Sequence, residues 1–156
     1  MAEPPVDMPA AQAGERLPDH RLRRLTGYAL RLAYHRLKNE ASRVLEGFGL
    51  RTRTFSALAI ICDTPGLRQT QLAEVLHMER SNTVTLVDAL ERGGLIQRRQ
   101  VPEDRRSYAL RATAEGRRVC AAATAALEAQ EDAALAGLSP EERRLLLGLL
   151  AKVDGG

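Results

Sequence analysis

The stretch 95-LIQRRQVPEDRRSYALRAT-113 has the period of a β-hairpin rather than that of a helix. The runs 95-LIQRRQ-100 and 107-SYALRA-112 fit the two-residue period of a strand better than the period of a helix, and residues two apart on a strand point to the same side. Between the two runs, Pro102, Glu103 and Asp104 supply turn-forming chemistry. The sequence therefore predicts two short antiparallel strands with a charged tip.

Two short helical patterns come immediately before this hairpin. The segments 69-QTQLAEVLH-77 and 80-RSNTVTLVDALERGG-94 carry apolar residues at helical spacing, and only Met78 and Glu79 separate them. Two short helices joined by a tight turn predict a helix-turn-helix. A hairpin directly after a helix-turn-helix makes a winged helix, so the opening stretch is predicted to be the wing.

Longer helices are predicted on both sides of this unit. An amphipathic helix is expected to start after Asp19 and to end near Gly47 and Gly49. A second helix, over 51–63, is broken at 64-TPG-66. Thr113 is predicted to cap an Ala-rich helix over 114–138, and the sequence 139-SPEE-142 is a capping box that starts a last helix over 139–150.

These elements predict a mainly α fold with a small β-hairpin wing, organised as one winged helix-turn-helix between long flanking helices. Residues 1–18 hold four of the seven prolines and no periodic apolar pattern, and are predicted to be a disordered arm. Residues 49–113 form the predicted DNA-binding lobe, and residues 19–48 and 114–153 the predicted dimerisation helices.

The second helix of a helix-turn-helix enters the major groove of DNA with its first residues at the base edges. Here those residues are Arg80, Ser81 and Asn82, with Thr85 one turn later. Arg pairs with guanine and Asn with adenine, whereas Ser81 is equally explained as a helix N-cap. The predicted contact set also includes Gln69, Thr70 and Arg98, together with Asp104, Arg105 and Arg106 at the tip of the hairpin.

The charge of the segment from Arg80 to Arg111 supports the same partner. It carries seven arginines and four acidic residues, so it is locally basic, and phosphate attraction would supply much of the affinity for DNA. On the wing, Asp104 and Arg106 point the same way, so that Asp104 could hold the Arg106 guanidinium at a tip that fits the minor groove. The alternative is a solvated wing in which Asp104 only forms the turn.

The run over 49–116 resembles the multiple-antibiotic-resistance regulator (MarR) family of transcription factors. The matching elements, in order, are Gly49-Leu50, Pro65-Gly66, Leu72-Ala73, Arg80-Ser81-Asn82, Leu90-Glu91, Gly94-Leu95 and Asp104-Arg105-Arg106. The resemblance implies a homodimeric winged-helix regulator in which Arg106 is the wing arginine, Asp104 its holder, and the helix from Arg80 the DNA-recognition helix.

The chain departs from the family pattern at a few positions. Arg51 and Arg68 stand where family members often have a Thr or Ser at a helix start, which is expected to weaken the caps. Thr85 stands where a basic residue is common, and Ala112 replaces the Leu that usually precedes Thr113. The resemblance therefore implies no base preference at position 85.

The flanking helices carry more apolar residues than a small lobe can bury. Leucines crowd the last helix on nearly every side, so pairing with a second copy is expected, on a pseudo-palindromic operator. The alternative is a monomer with a larger core. Family members often bind small aromatic or anionic effectors, and the resemblance suggests a pocket for a phenolic acid or its thioester near Tyr28, Arg31, Tyr34, His35, Arg36 and Phe55. Aromatic residues in a packed interface would explain these side chains equally well.

Other functions have less support in the sequence. No Gly-rich phosphate loop, nucleophile elbow or metal-ligand spacing is present, so we expect neither an enzyme nor a bound cofactor or metal. Cys62 and Cys120 leave redox sensing open, although both fall on apolar helix faces. Without a signal peptide or membrane span in the sequence, a cytoplasmic location is expected. A nonspecific architectural DNA binder and a winged-helix protein-interaction module stay open as alternatives to the regulator.

Overall fold

A computed structural model describes residues 19–101 and 104–155, except for the side chains of residues 101, 104–107 and 154. The predicted arm over 1–18 lies outside the described residues. Contacts divide the described chain into two units, 19–36 and 37–155, and each is treated by itself. The element order is mainly helical with one hairpin, which confirms the predicted fold class.

The first unit opens with a short 3₁₀ turn, Leu22–Arg24, before the long helix α1, Thr26–Glu46, which continues into the second unit. The prediction that one helix starts directly after Asp19 is therefore wrong. Leu25 has an extended backbone, with ψ near 120°. The Asp19 carboxylate accepts hydrogen bonds from Arg23 Nε at 2.6 Å and Tyr28 Oη at 2.9 Å. These bonds tie the turn to α1, an arrangement that apolar periodicity cannot indicate.

The second unit contains the helices α2 (Thr52–Asp63), α3 (Gln69–Val75) and α4 (Arg80–Arg92), the strands β1 (Ile96–Val101) and β2 (Asp104–Ala112), and the helices α5 (Ala114–Ala134) and α6 (Pro140–Asp154). The predicted helix-turn-helix and wing are thus confirmed. The Ala-rich helix ends four residues earlier than predicted, at Ala134, and a turn leads into α6.

The wing is a two-stranded antiparallel sheet. Ile96 pairs with Ala112 and Gln100 with Tyr108, and the register shifts between Gln100 and Val101. β2 is also hydrogen-bonded to the loop before α3, where Leu110 N–H donates to the Leu67 carbonyl at 2.8 Å. Leu110 is fully buried, so the base of the wing belongs to the core.

One aliphatic core joins α2, α3, α4 and the wing base to the start of α5. Its largest fully buried side chains include Leu58, Ile61, Leu72, Leu90 and Ile96. We call residues 50–113, which build most of this core, the winged lobe. Within the described residues, no helix is long and apolar enough to cross a membrane.

Several helix caps follow the sequence. The Thr113 hydroxyl accepts a hydrogen bond from Gly116 N–H at 2.9 Å, and Ser139 and Glu142 form the predicted capping box. At Arg51 and Arg68 the side chain has no acceptor to offer. Instead, Thr54 Oγ1 accepts from Arg51 N–H at 2.8 Å and Gln71 Oε1 from Arg68 N–H at 2.9 Å, so half of each capping box is kept.

Candidate nucleic-acid interface

The helix α4 presents two different faces. Thr83, Leu86, Val87 and Leu90 recur at helical spacing and are buried in the core. The Thr83 hydroxyl donates a 3.1 Å hydrogen bond to the Glu79 carbonyl, which fixes the start of the helix. The opposite face is left in solvent along most of the helix, as an interface to a partner would require.

The first residues of α4 lie on that solvent face. Arg80, Ser81 and Asn82 are all exposed. Within the part of the chain that the structure describes, their side chains make no hydrogen bond or ion pair. Ser81 is not an N-cap, because Glu79 precedes the helix and Ser81 lies inside it. Three polar side chains are therefore available together to an external ligand.

The turn before α4 holds this helix at a fixed place beside α3. His77 has a left-handed backbone, with φ of 48°, and Met78 N–H donates to the Ala73 carbonyl at 2.9 Å. This pairing ends α3 sharply, as a left-handed residue after a helix commonly does. Gln69 and Thr70 open α3, where Thr70 is exposed and Gln69 half-buried.

Arg98 on β1 ties the wing to α4. Its Nη2 donates to Asp88 Oδ1 and its Nη1 to Glu91 Oε2, each at 2.5 Å, and its backbone N–H donates to Glu91 Oε1 at 3.0 Å. Burial alone would lower the pKa of Arg98, but the hydrogen bonds to Asp88 and Glu91 outweigh it and leave the pKa raised. We call these three residues the Arg98 clamp.

The clamp changes what we expect of Arg98. Its side chain is only 20% exposed and both ends of its guanidinium are engaged by carboxylates. The geometry therefore favours a role in orienting the wing, while a direct phosphate contact stays a prediction. Sequence reasoning counted Asp88 and Glu91 only as charges. Their signal, two acids three residues apart on one helix followed by an Arg on the next strand, is too common to identify a clamp.

The tip of the wing carries the remaining predicted DNA contacts. The side chains of Asp104, Arg105 and Arg106 lie outside what the structure describes, so the minor-groove role of Arg106 stays a prediction.

The predicted effector residues fall into both units. In the first, Tyr28 donates its hydroxyl to Asp19, whose bond raises the pKa of Tyr28, and the Arg31 guanidinium lies 4.9 Å from the centroid of the Tyr28 ring. Tyr34 and His35 have ring centroids 6.1 Å apart, and Arg36 is exposed. Phe55 belongs to the second unit, where it packs against the core. A pocket shared by this set stays a prediction.

The two thiols are also neighbours of each other. Burial first, and then the adjacent Cys120, raise the pKa of Cys62 to about 12. Cys120 is buried in the core. Among the described residues, no group of three or more His, Cys, Asp or Glu side chains is arranged to hold a metal ion.

Known proteins share both the sequence and the fold of this chain. Residues 51–108 match the MarR family. The solved structure of the transcriptional repressor CouR bound to a 23-mer DNA duplex superposes with a TM-score of 0.84 at 34% identity, over 90% of this chain and 99% of that one. This chain belongs to the MarR family. Its relatives are transcriptional regulators rather than enzymes.

Two further relatives bear on function. A regulatory protein for the hcr operon of Thauera aromatica is 37% identical over 105 residues, which are 67% of this chain and 63% of that protein. This chain thus matches less than two thirds of that relative's length. CouR from Rhodococcus jostii RHA1 bound to p-coumaroyl-CoA superposes with a TM-score of 0.72 at 30% identity, over 81% of this chain and 90% of that one.

Proposed function

We propose that this protein is a homodimeric, sequence-specific DNA-binding repressor of transcription. The observation that carries the proposal is the start of α4, where Arg80, Ser81 and Asn82 are exposed and unpaired within the described residues. In a winged helix-turn-helix, this is the part of the recognition helix that meets base edges in the major groove. The DNA-bound relative CouR supports the same use of the fold.

Two neighbouring features support specific rather than general binding. Arg and Asn can each make two hydrogen bonds to one base, Arg to guanine and Asn to adenine. The Arg98 clamp holds the wing against the same helix, so that one rigid body would meet both grooves. The predicted role of Arg106 in the minor groove, with Asp104 as its holder and Arg105 beside it, completes the proposed surface.

The uncovered face of α6 supports a dimer. Leu145, Leu149 and Val153 are four residues apart, lie on one side of the helix, and are exposed in the single chain. Within the described residues, α6 has no extensive packing contact with another element. A second copy that pairs through this face would place two recognition helices on a pseudo-palindromic operator.

Substitution of Asn82 tests the recognition surface. Asn82→Ala should weaken binding to DNA from upstream of the protein's own gene by about 1–3 kcal/mol and relax the base preference at one position of each half-site. Asn39→Ala, at an asparagine on α1 that is also exposed and lies outside the winged lobe, is the matched control and should leave affinity unchanged. Equal affinity of the two variants, measured by fluorescence anisotropy, would contradict the assignment of α4.

A small effector is the finer part of the proposal. p-Coumaroyl-CoA, the ligand bound in the structure of CouR from Rhodococcus jostii RHA1, is the thioester of a phenolic acid. It favours that class of compound as the effector. Tyr28, with Arg31 over its ring, and the Tyr34–His35 pair offer the aromatic and cationic groups that such a ligand needs. Titration of the protein–DNA complex with phenolic acids and their CoA thioesters should release DNA. DNA binding that is unaffected by every such compound would count against this effector class.

A further inference from the structure

Two adjacent apolar groups on the solvent face of α4 are left unexplained by hydrogen bonding to bases. Val84 is 42% exposed and lies outside the buried apolar stripe of α4. Thr85 is exposed beside it, and its hydroxyl donates a 3.2 Å hydrogen bond to the Ser81 carbonyl one turn earlier. Because this bond uses the only hydroxyl proton of Thr85, the side chain has a methyl group but no proton to donate to a base.

Both residues lie where the recognition helix would meet DNA. Residues four apart on a helix are neighbours on the same face, so Val84 lies one turn after Arg80, and Thr85 one turn after Ser81. Val and Thr are also weaker helix formers than Ala, Lys or Glu at an exposed position. Helix stability therefore does not account for a β-branched pair here.

The chemistry of the major groove provides a partner for these methyl groups. Among the four base pairs, only those with thymine display an apolar group there, the C5 methyl, and apolar side chains and the Thr methyl contact it. We propose that Val84 and Thr85 recognise thymine through its C5 methyl and so set part of the operator sequence. This inference rests on the proposed function, and it also accounts for a Thr at position 85, where a cation would contact phosphate or guanine instead.

The direct test removes the thymine methyl without changing hydrogen bonding. The same upstream DNA is amplified once with dTTP and once with dUTP, and the affinity of the full-length protein for each product is measured by fluorescence anisotropy. Loss of one buried methyl contact should weaken binding about fourfold, or ~0.8 kcal/mol, and loss in two half-sites about sixteenfold. Uracil also alters DNA stiffness. The ratio of the affinity for dT DNA to that for dU DNA, the dT-to-dU ratio, must therefore be compared between protein variants.

Two substitutions at position 85 separate the methyl from the hydroxyl. Thr85→Ser keeps the hydroxyl and removes the methyl, so the variant should lose part of its preference for dT over dU. Thr85→Val keeps a methyl and removes the hydroxyl, so it should retain the preference. A hydrogen bond from Thr85 to a base would instead leave the preference for dT over dU the same in both variants, and Thr85→Val would bind both DNAs more weakly than Thr85→Ser.

Val84 is tested against an exposed valine of the same lobe. Val84→Ala combined with Thr85→Ser should bring the dT-to-dU ratio close to one, whereas Val75→Ala on α3, where Val75 is 56% exposed, should leave it as in the wild type. A dT-to-dU ratio near one in the wild-type protein, with preference for the upstream sequence intact, would overturn this inference alone. Absence of any sequence preference would overturn it together with the proposed function.

Discussion

Leucine side chains are buried in the winged lobe but exposed on α6. Leu58, Leu72 and Leu110 of the lobe are fully buried, whereas Leu145 and Leu147 of α6 are 63% and 68% exposed. The lobe closes its core within one chain because α2, α3, α4 and the wing base bury one another. Among the described residues the apolar face of α6 has no such partner, and we infer that a second copy supplies it.

A charge on α6 should produce the largest effect. Leu149→Glu would place two carboxylates in the proposed dimer interface, where burial of each leucine is worth about 1.5–3 kcal/mol. We expect the dimer dissociation constant to rise by roughly a hundredfold or more, and operator binding to fall with it. Sedimentation velocity over a concentration series measures the fractions of monomer and dimer and so gives the dissociation constant.

Val75→Glu is the control for this change, because Val75 is an exposed apolar residue of the lobe. It should leave the oligomeric state as in the wild type. A Leu149→Glu protein that stays dimeric would show that α6 is not the interface.

Two glycines make the contrast between the regions quantitative. A Cβ on Gly116 would lie 1.9 Å from the Leu95 carbonyl oxygen, whereas a Cβ on Gly148 would have no described atom within 4 Å apart from its chain neighbours and the backbone of its own helix. Gly116→Ala should therefore lower the free energy of unfolding by about 1–3 kcal/mol through overpacking. Gly148→Ala should raise it by about 0.8–1 kcal/mol through helix propensity. Urea denaturation compares the two, and a neutral Gly116→Ala would contradict the close approach of α5 to the wing base.

The Arg98 clamp predicts a smaller effect that is confined to the lobe. Arg98→Lys keeps the charge but cannot engage Asp88 and Glu91 as a planar fork, so the wing should loosen and DNA affinity should fall by about 1 kcal/mol. Arg99→Lys changes the next residue, which is exposed, and should have little effect. Anisotropy titrations at one salt concentration suffice. If both variants bind equally well, Arg98 does not orient the wing.

The smallest effect is expected from oxidation. With the pKa of Cys62 raised to about 12, its thiol stays protonated near neutral pH, and the thiolate is the reactive form. Operator affinity should therefore change by less than about twofold after mild treatment with hydrogen peroxide, and both thiols should react only after unfolding. A loss of DNA binding that Cys62→Ser abolishes would instead support redox sensing.

Local patterns in the sequence were sufficient to predict most of the fold. The hairpin, the two short helices and the caps at Thr113 and Ser139 depend on neighbouring residues, and all are present. The break at Leu25 was missed because apolar periodicity continues through it, while the bonds to Asp19 that hold the turn are between side chains.

The candidate site was predictable in its location and less so in its details. The position of Arg80, Ser81 and Asn82 follows from the helix-turn-helix pattern. The Arg98 clamp and the contact of Gly116 with Leu95 join residues on different elements, and a single sequence gives no distance between them. The hydrogen bond that occupies the Thr85 hydroxyl depends on a rotamer, which residue identity does not determine.

The most direct test of the central claim is binding of the purified protein to DNA from upstream of its own gene and to scrambled DNA of equal length, across a salt series. We expect the upstream sequence to be preferred at every salt concentration. Affinity should fall steeply with salt, by roughly 10³–10⁵ between 50 and 200 mM if six to ten phosphates are contacted. Equal affinity for the two DNAs, or no affinity for either, would contradict a sequence-specific regulator and favour an architectural DNA binder or a protein-interaction module.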